Sequence, residues 1–257
     1  MKRIVCCLTA ALVLVGMVGC AASVAPVVPD DVSPDSGVTT QMPSDEVIVF
    51  DDDALEAYVR DVIGKPEGDI TVADAQAVTE LELSQMGVDN DQPYIHNLTA
   101  LKYFTNLTYL GLGYAVQNAD DPMAPIDISP LAGLTKLESL QMGGLVIDDL
   151  TAVANLKNLI SLTVFNGEQA LDLAPLAGLT NLQALTLRNN KITDVSPLSG
   201  LSNLGYLDLE GNQITDVTPL AGLTGLSRLF LSGNPITDYS SLAAVRSDLE
   251  EWDFEVQ

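Results

Sequence analysis

The chain has 257 residues, 35 acidic against 11 basic side chains and a formal net charge of −24, with Leu its dominant apolar type. Phosphate binding needs clustered Lys and Arg, and the cations here are scattered, so no nucleic-acid partner is expected. Burying one aliphatic side chain contributes roughly 1.5–3 kcal/mol before entropy costs, so a chain this long can build one continuous core without disulfides.

Lys2 and Arg3 precede an apolar run from Ile4 to Val18, which suits a signal-peptide core and is short for a membrane span. The run ends in Met17-Val18-Gly19-Cys20. This resembles the lipobox of bacterial lipoproteins, in which the cysteine is lipidated and becomes the first mature residue. The resemblance implies a signal peptide over 1–19, lipidation at Cys20 and an extracytoplasmic position, anchored by lipid at the bacterial cell surface. It is preferred to ordinary secretion with cleavage after Ala22. Cys6 and Cys7 leave with the signal peptide, so no disulfide is expected.

Residues 20–49 carry Pro26, Pro29, Pro34 and Pro43 among Ser, Thr, Val and Asp, without sustained periodicity. That composition predicts a disordered tether, spanning roughly 30 Å as a flexible coil. Residues 50–79 predict a helical cap. Asp52 or Asp53 can cap a helix whose apolar positions Leu55, Tyr58, Val59 and Val62 fall at helical spacing, and Lys65-Pro66-Glu67-Gly68 ends it. A second short element follows between Ile70 and Val78.

From residue 80 the chain repeats. Residues 182–200 read LQALTLRNNKITDVSPLSG, 204–222 read LGYLDLEGNQITDVTPLAG, and 226–239 read LSRLFLSGNPITDY, so Leu185, Leu207 and Leu229 recur at a period of 22. This pattern is the signature of a leucine-rich repeat (LRR). The fold class is an α/β solenoid: a horseshoe or gently curved coil with a parallel β-sheet on its concave face, short 3₁₀ or helical turns on its convex face and a helical N-terminal cap. Leucines such as Leu185 and Leu187 point inward from each strand. Asn190, Asn212 and Asn234 end the strand and satisfy backbone groups of neighbouring coils. Ser196 or Thr218, followed by Pro197 or Pro219, predicts a hydroxyl at N-cap and proline at N1, with Gly200 and Gly222 stopping the turn.

Strands should centre on Leu81, Leu110, Leu140, Leu162, Leu185, Leu207, Leu229 and Trp252. The first two intervals are 29 and 30 residues, which places insertions around Ser84–Asn97 and Gly113–Pro125. Early rungs have Ala115, Leu145 and Gly167 in place of the asparagine and should be less regular. Trp252 and Phe254 continue the inward pattern into a minimal C-terminal cap, where acidic neighbours discourage edge pairing.

The phrases L-T-N-L and I-T-D-V-S-P-L, and the helical stretch ahead of them, resemble the internalin-type LRR proteins of bacterial surfaces from about Phe50 onward. The resemblance implies a non-catalytic, adhesion-type recognition module acting on a protein or glycan ligand. Internalins usually continue into an immunoglobulin-like domain and a wall anchor, which this sequence does not show. A monomer is expected. The alternatives are a scaffold within the cell envelope and, behind it, an enzyme accessory.

Little in the chain suggests catalysis. Its one histidine, His96, lies in an irregular stretch with no nucleophile beside it, so neither catalytic residue nor cofactor is assigned. Asp127, Asp149, Asp172, Asp194, Asp216 and Asp238 hold one repeated position; they are read as backbone acceptors at the start of each turn rather than as a cation stripe. Asp89-Asn90-Asp91 begins like an EF-hand loop but lacks its Gly and terminal Glu. The sequons at Asn97 and Asn106 follow from the repeat phrasing.

The informative positions flank the inward leucines: Glu80, Glu82, Tyr109, Ser139, Gln141, Thr163, Phe165, Thr186, Arg188, Tyr206, Asp208, Arg228, Phe230, Glu251 and Asp253. Tyr109, Phe165, Tyr206 and Phe230 are aromatic where the fold does not require it, and Arg188 and Arg228 lie beside them. Such residues are enriched at binding hot spots. Tyr109, Phe165, Arg188, Tyr206, Asp208, Arg228 and Phe230 are therefore the candidate partner-binding residues, with one contiguous patch expected from Arg188 to Phe230 because rungs lie about 4.8 Å apart.

Overall fold

The computed structural model describes residues 44–83, 93–121, 123–165, 167 and 170–254. The signal peptide, Cys20, most of the tether and the Asp89-Asn90-Asp91 stretch lie outside the described residues.

Residues 44–48 run antiparallel to 70–73, with Ile48 N–H donating to Ile70 (2.8 Å), Val72 N–H to Glu46 (2.9 Å) and Ala73 N–H to Ser44 (3.0 Å). Ile48 is buried, so the folded unit begins ahead of Phe50. Helix α1, Asp53–Ile63, starts at Asp52, whose Oδ1 accepts the Leu55 N–H at 2.8 Å. It ends on Gly64 at φ 66°, where the left-handed conformation suits glycine, one residue before the predicted Lys65–Gly68 stop. Leu55 and Val59 are buried, but Val62 is 41% exposed and does not belong to the inward stripe. Helix α2, Val72–Gln76, opens with a capping box between Thr71 and Asp74, and Lys65 Nζ reaches Asp74 Oδ2 at 2.7 Å.

Eight parallel strands then form one sheet in chain order: β1 (Glu80–Glu82), β2 (Tyr109–Gly111), β3 (Ser139–Gly143), β4 (Ser161–Phe165), β5 (Ala184–Thr186), β6 (Tyr206–Asp208), β7 (Arg228–Phe230) and β8 (Glu251–Trp252). Leu81, Leu110, Leu140, Leu162, Leu185, Leu207, Leu229 and Trp252 pair in register, as the repeat spacing predicts. The seven leucines are 0–1% exposed. A 3₁₀ turn returns the chain after each strand, among them Ser129–Gly133, Ser196–Gly200 and Thr218–Gly222. A short α3, Ala243–Arg246, precedes β8.

The turns correct the predicted capping. Val195 and Val217 hold the N-cap positions and Ser196 and Thr218 are the first residues of their turns, with no hydroxyl capping bond. The aspartate two residues earlier does that work. Its Oδ1 accepts the N–H of Ser129, Thr151, Ala174, Ser196, Thr218 or Ser240 at 2.7–2.9 Å in six successive coils. Gly200 and Gly222 close their turns without left-handed backbone; Leu201 and Leu223 follow as C-caps at φ −85°.

Two asparagine ladders run through the unit. Asn190 and Asn212 are buried, and Asn212 receives the N–H groups of Asn190 and Ile192 while donating to the carbonyls of Leu187 and Leu209. Asn234 repeats the pattern one coil on. Asn190 reaches back to Gly167 N–H and the Val164 carbonyl, which serves the rung that lacks its own asparagine. The second ladder is the asparagine of the L-T-N-L phrase: Asn158, Asn181 and Asn203 each donate Nδ2 to a carbonyl of the preceding coil at 2.8–2.9 Å. The early rungs are irregular in their insertions, with an extra 3₁₀ turn at Gly113–Ala115 and an isolated bridge from Ile95 to Val116. Their strands β3 and β4 are nevertheless the longest, at five residues each.

At the end of the sheet Phe254 is buried and stacks on Tyr239 with ring centroids 5.1 Å apart. Trp252 is only half-buried and lies under Arg246. Asp253 turns its carboxylate onto the exposed backbone of the preceding rung, accepting from Leu231 N–H at 2.7 Å and Ser232 N–H at 3.0 Å.

Candidate functional site

Inward leucines leave their neighbours facing away from the core, in two rows that the register defines. One row runs Tyr109, Ser139, Ser161, Ala184, Tyr206, Arg228, Glu251; the other runs Gly111, Gln141, Thr163, Thr186, Asp208, Phe230. In these two rows the residues from β3 to β5 are neutral and, Gln141 apart, small. Large and charged groups gather over β6 and β7.

There the structure brings five of the seven candidates together. Tyr206 and Phe230 have ring centroids 5.8 Å apart at an interplanar angle of 51°, an edge-to-face-like geometry that favours aromatic pairs. Arg228 places its guanidinium carbon 4.9 Å from the Tyr206 centroid. Arg188 lies with its Nε 3.5 Å from Asp208 Oδ2 and its Nη2 paired to Glu210. Tyr206 also donates its hydroxyl to Asp208 Oδ2 at 3.3 Å, and Asp208 Oδ1 accepts the Glu210 N–H at 3.1 Å.

Asp208 is only 3% exposed. It supports the patch from beneath and is not itself a contact surface. Burial pushes its carboxyl above the usual range, against the opposing effects of the Glu210 N–H and the Arg188 charge. Burial, then the charge of Asp208, raises the Tyr206 hydroxyl. Arg188 is thus largely neutralised within the chain. Among the described residues, Arg228 makes its ring contact and no ion pair with a carboxylate.

Tyr109 and Phe165 stand apart from this group. Tyr109 donates its hydroxyl to Glu82, and burial followed by that carboxylate raises it well above the ordinary tyrosine value. Phe165 lies against Gly143 on the adjacent strand. Arg188, Tyr206, Asp208, Arg228 and Phe230 thus adjoin one another on neighbouring rungs, while Phe165 lies one rung before Arg188 and Tyr109 lies on β2.

Glu210 and Ser232 complete the patch, with Ser232 Oγ donating to Glu210 Oε1 at 2.7 Å. Sequence reading took their repeat position at Phe165 and Arg188 but not at Glu210 and Ser232. Alternation carries the outward row one step further, to the third residue after the leucine, where Phe165, Arg188, Glu210 and Ser232 stand.

Other sequence candidates have local roles. His96 gives its backbone N–H to Asp52 Oδ2 at 2.7 Å and its Nδ1 lies 2.9 Å from the Gln117 carbonyl, so it joins the cap to the second insertion. Asn106 donates Nδ2 to Gln76 and accepts from Lys136, which occupies the amide that a glycan would need. Among the described residues no three His, Cys, Asp or Glu side chains converge on a metal-sized site, and no helix is long and apolar enough to cross a membrane.

Comparison with known proteins follows the same architecture. The family of leucine rich repeats, in two copies, matches residues 180–222 and 202–244. No curated protein matches the chain. An internalin (inlF) of Listeria monocytogenes superposes with a TM-score of 0.61 at 30% identity, covering 80% of this chain and 63% of its own. This chain therefore spans less than two thirds of that protein's length. Internalin C2 (inlC2) of the same organism gives a TM-score of 0.60 at 31% identity, covering 79% of this chain and 93% of its own. A Leptospira interrogans LRR protein shares the fold at 21% identity, with a TM-score of 0.54 over 71% of this chain and 50% of its own.

Proposed function

Because this chain belongs to the internalin-like leucine-rich repeat proteins, we propose that it is a non-catalytic recognition module that binds a partner protein through the outward face of its strands. LRR proteins of this kind are generally protein-interaction modules. The observation that carries the reading is the placement of Arg228, Tyr206 and Phe230 as a stacked group at outward positions. The residues that hold the positions of Tyr206 and Phe230 on β3 to β5 are Ser, Thr, Ala and Gln, so core packing does not call for aromatics at those positions. Aromatics and arginine are the side chains that most often carry binding energy at interfaces. The charge of −24 favours a basic partner and salt-sensitive association.

The proposal includes anchoring: lipidation of Cys20 would hold a monomeric module outside the cell on a tether that ends before the paired residues 44–48, about 23 residues with a reach of roughly 25 Å. Transfer of labelled palmitate to the parent but not to Cys20→Ser, with loss of detergent-phase partitioning, is the expected result; labelling of both removes the anchor from the proposal.

The binding test uses the full chain and an Arg228→Ala/Phe230→Ala variant as baits. Arg188 is left in place, because removing it would strip the buried Asp208 of its cation and confuse folding with binding. A protein captured by the parent and lost by the variant, with circular dichroism unchanged, is the expected outcome. Equal capture by both overturns the assignment to β6 and β7.

A further inference from the structure

Three surface rings carry one of the chain's own cations: Lys102 lies 5.0 Å from the Tyr103 centroid, Arg228 4.9 Å from that of Tyr206 and Arg246 3.5 Å from that of Trp252. At the strand ends of β2 to β4 two further rings, Phe165 and Tyr114, cover two consecutive glycines, with no such cation over them among the described residues. A Cβ on Gly143 would stand 2.2 Å from Phe165 Cε1, and a Cβ on Gly144 would stand 2.1 Å from Tyr114 Cε1. The rings thus fill the side-chain space of two consecutive residues of one rung, arriving from the rungs on either side of it. Gly144 is at φ +83°, so a side chain there is opposed by its backbone as well as by the ring.

The fold requires neither ring. Counting from the inward leucine, the positions equivalent to Phe165 hold Arg188, Glu210 and Ser232, and those equivalent to Tyr114 hold Gly144, Asn189, Gly211 and Gly233. Tyr114 stays 55% exposed, a large value for a ring packed on backbone. The insertion that carries Tyr114 also carries exposed Asp120 and Asp121. An aromatic face offers negative charge density to a cation, and the field of a chain at −24 has the same sign.

We propose that Tyr114 and Phe165 form a subsite, apart from the Arg228 group, that receives a Lys or Arg side chain of the partner protein. The inference deepens the recognition reading above and rests on it. The partner's ammonium or guanidinium would lie over the two rings, with strand β5 between Phe165 on β4 and the patch on β6 and β7.

The test uses two dye-labelled dodecapeptides, one with three lysines and one with norleucine in their place, titrated into the full chain and followed by fluorescence anisotropy. A Tyr114→Ser/Phe165→Ser variant removes the rings without changing net charge. The lysine peptide should bind this variant about fivefold more weakly than the parent, the scale of two exposed cation–π contacts, and the norleucine peptide should not distinguish them. Equal affinity of the lysine peptide for both proteins overturns the subsite. So does a norleucine peptide that shows the same preference, because the rings would then be an apolar contact. The Arg228→Ala/Phe230→Ala variant should retain the fivefold difference; losing it would merge the subsite with the strand patch and overturn it as a separate site. A retained difference alongside unaltered partner capture by that variant would instead sink the strand-face reading and leave the subsite standing.

Discussion

Tyr206 and Arg228 are directly paired residues of neighbouring strands, and the guanidinium of one lies over the ring of the other at 4.9 Å. The stack holds Arg228 in a fixed direction while its N–H donors stay available. A side chain ordered before binding loses less entropy on association. Arg228→Ala should therefore weaken partner binding by about 1–2 kcal/mol, within the usual range for an interface hot spot. It should cost the fold only about 0.5–1 kcal/mol, as expected for an exposed cation–π contact. Urea unfolding followed by circular dichroism, alongside the capture assay, separates the two; a large loss of stability would mean that the arginine is structural.

The two asparagine ladders should differ in weight. Asn212 is 4% exposed and exchanges hydrogen bonds with the preceding coil while donating to Leu209 of its own, whereas Asn181 donates one bond at the surface. Asn212→Ala leaves several buried groups unpaired, at about 1–3 kcal/mol for each one that water cannot reach. Asn181→Ala should cost about 1 kcal/mol or less. Urea midpoints measured on both variants check the order, and equal losses would contradict it.

Stability should fall in acid, with the turn aspartates responsible. Hydrogen bonds from Thr151 and Thr218 hold Asp149 and Asp216 below the usual carboxylate value of 3.8, and those from Ser240 do the same for Asp238. A carboxylate depressed on folding contributes stability that is present above its unfolded value and is lost as pH drops through the folded one. Asp208 has the opposite sign: its raised value means that the folded state holds the proton more tightly, so its contribution is present below 3.8 and lost as pH rises through the folded value. Melting temperatures from pH 2 to 6 should decline less steeply toward acid in Asp216→Asn than in the parent. They should decline more steeply in Asp208→Asn, which removes a term that improves on acidification.

Asp253 closes the sheet with a side chain. Where earlier rungs receive a backbone carbonyl, such as Phe230 O for Leu209 N–H at 2.9 Å, Leu231 and Ser232 meet the Asp253 carboxylate. Asp253→Ala should expose these two amides and speed their hydrogen exchange by about tenfold or more, the factor corresponding to a lost bond of about 1.4 kcal/mol. Unchanged exchange at Leu231 and Ser232 would show that β8 backbone closes the edge unaided.

The turns show where local sequence signals mislead. Ser-Pro and Thr-Pro read as a hydroxyl cap because short-range preference puts serine or threonine ahead of an N1 proline. The aspartate two residues earlier instead accepts the N–H of that serine or threonine with its charged carboxylate, and the turn begins one step sooner. In the cap, helical spacing included Val62, but the core lies along Leu55 and Val59 and leaves Val62 in solvent.

The repeat by itself determined the rungs. A strand can bury its leucines against the next coil only if each copy falls in register, so the intervals between Leu81 and Trp252 already contained the order and pairing of all eight strands. The outward residues followed from the same alternation. What those residues do to one another lies between coils, at separations of 20 residues or more that no local pattern encodes. Tertiary structure alone decided that Arg188 is taken up by Asp208 and Glu210 while Arg228 keeps its donors on a tyrosine ring. It also decided that Tyr109 is held by Glu82, and that Phe165 and Tyr114 cover two consecutive glycines. The physical reason is that stacking brings each side chain within reach of several candidate partners, and the geometry and burial of the coils choose among them.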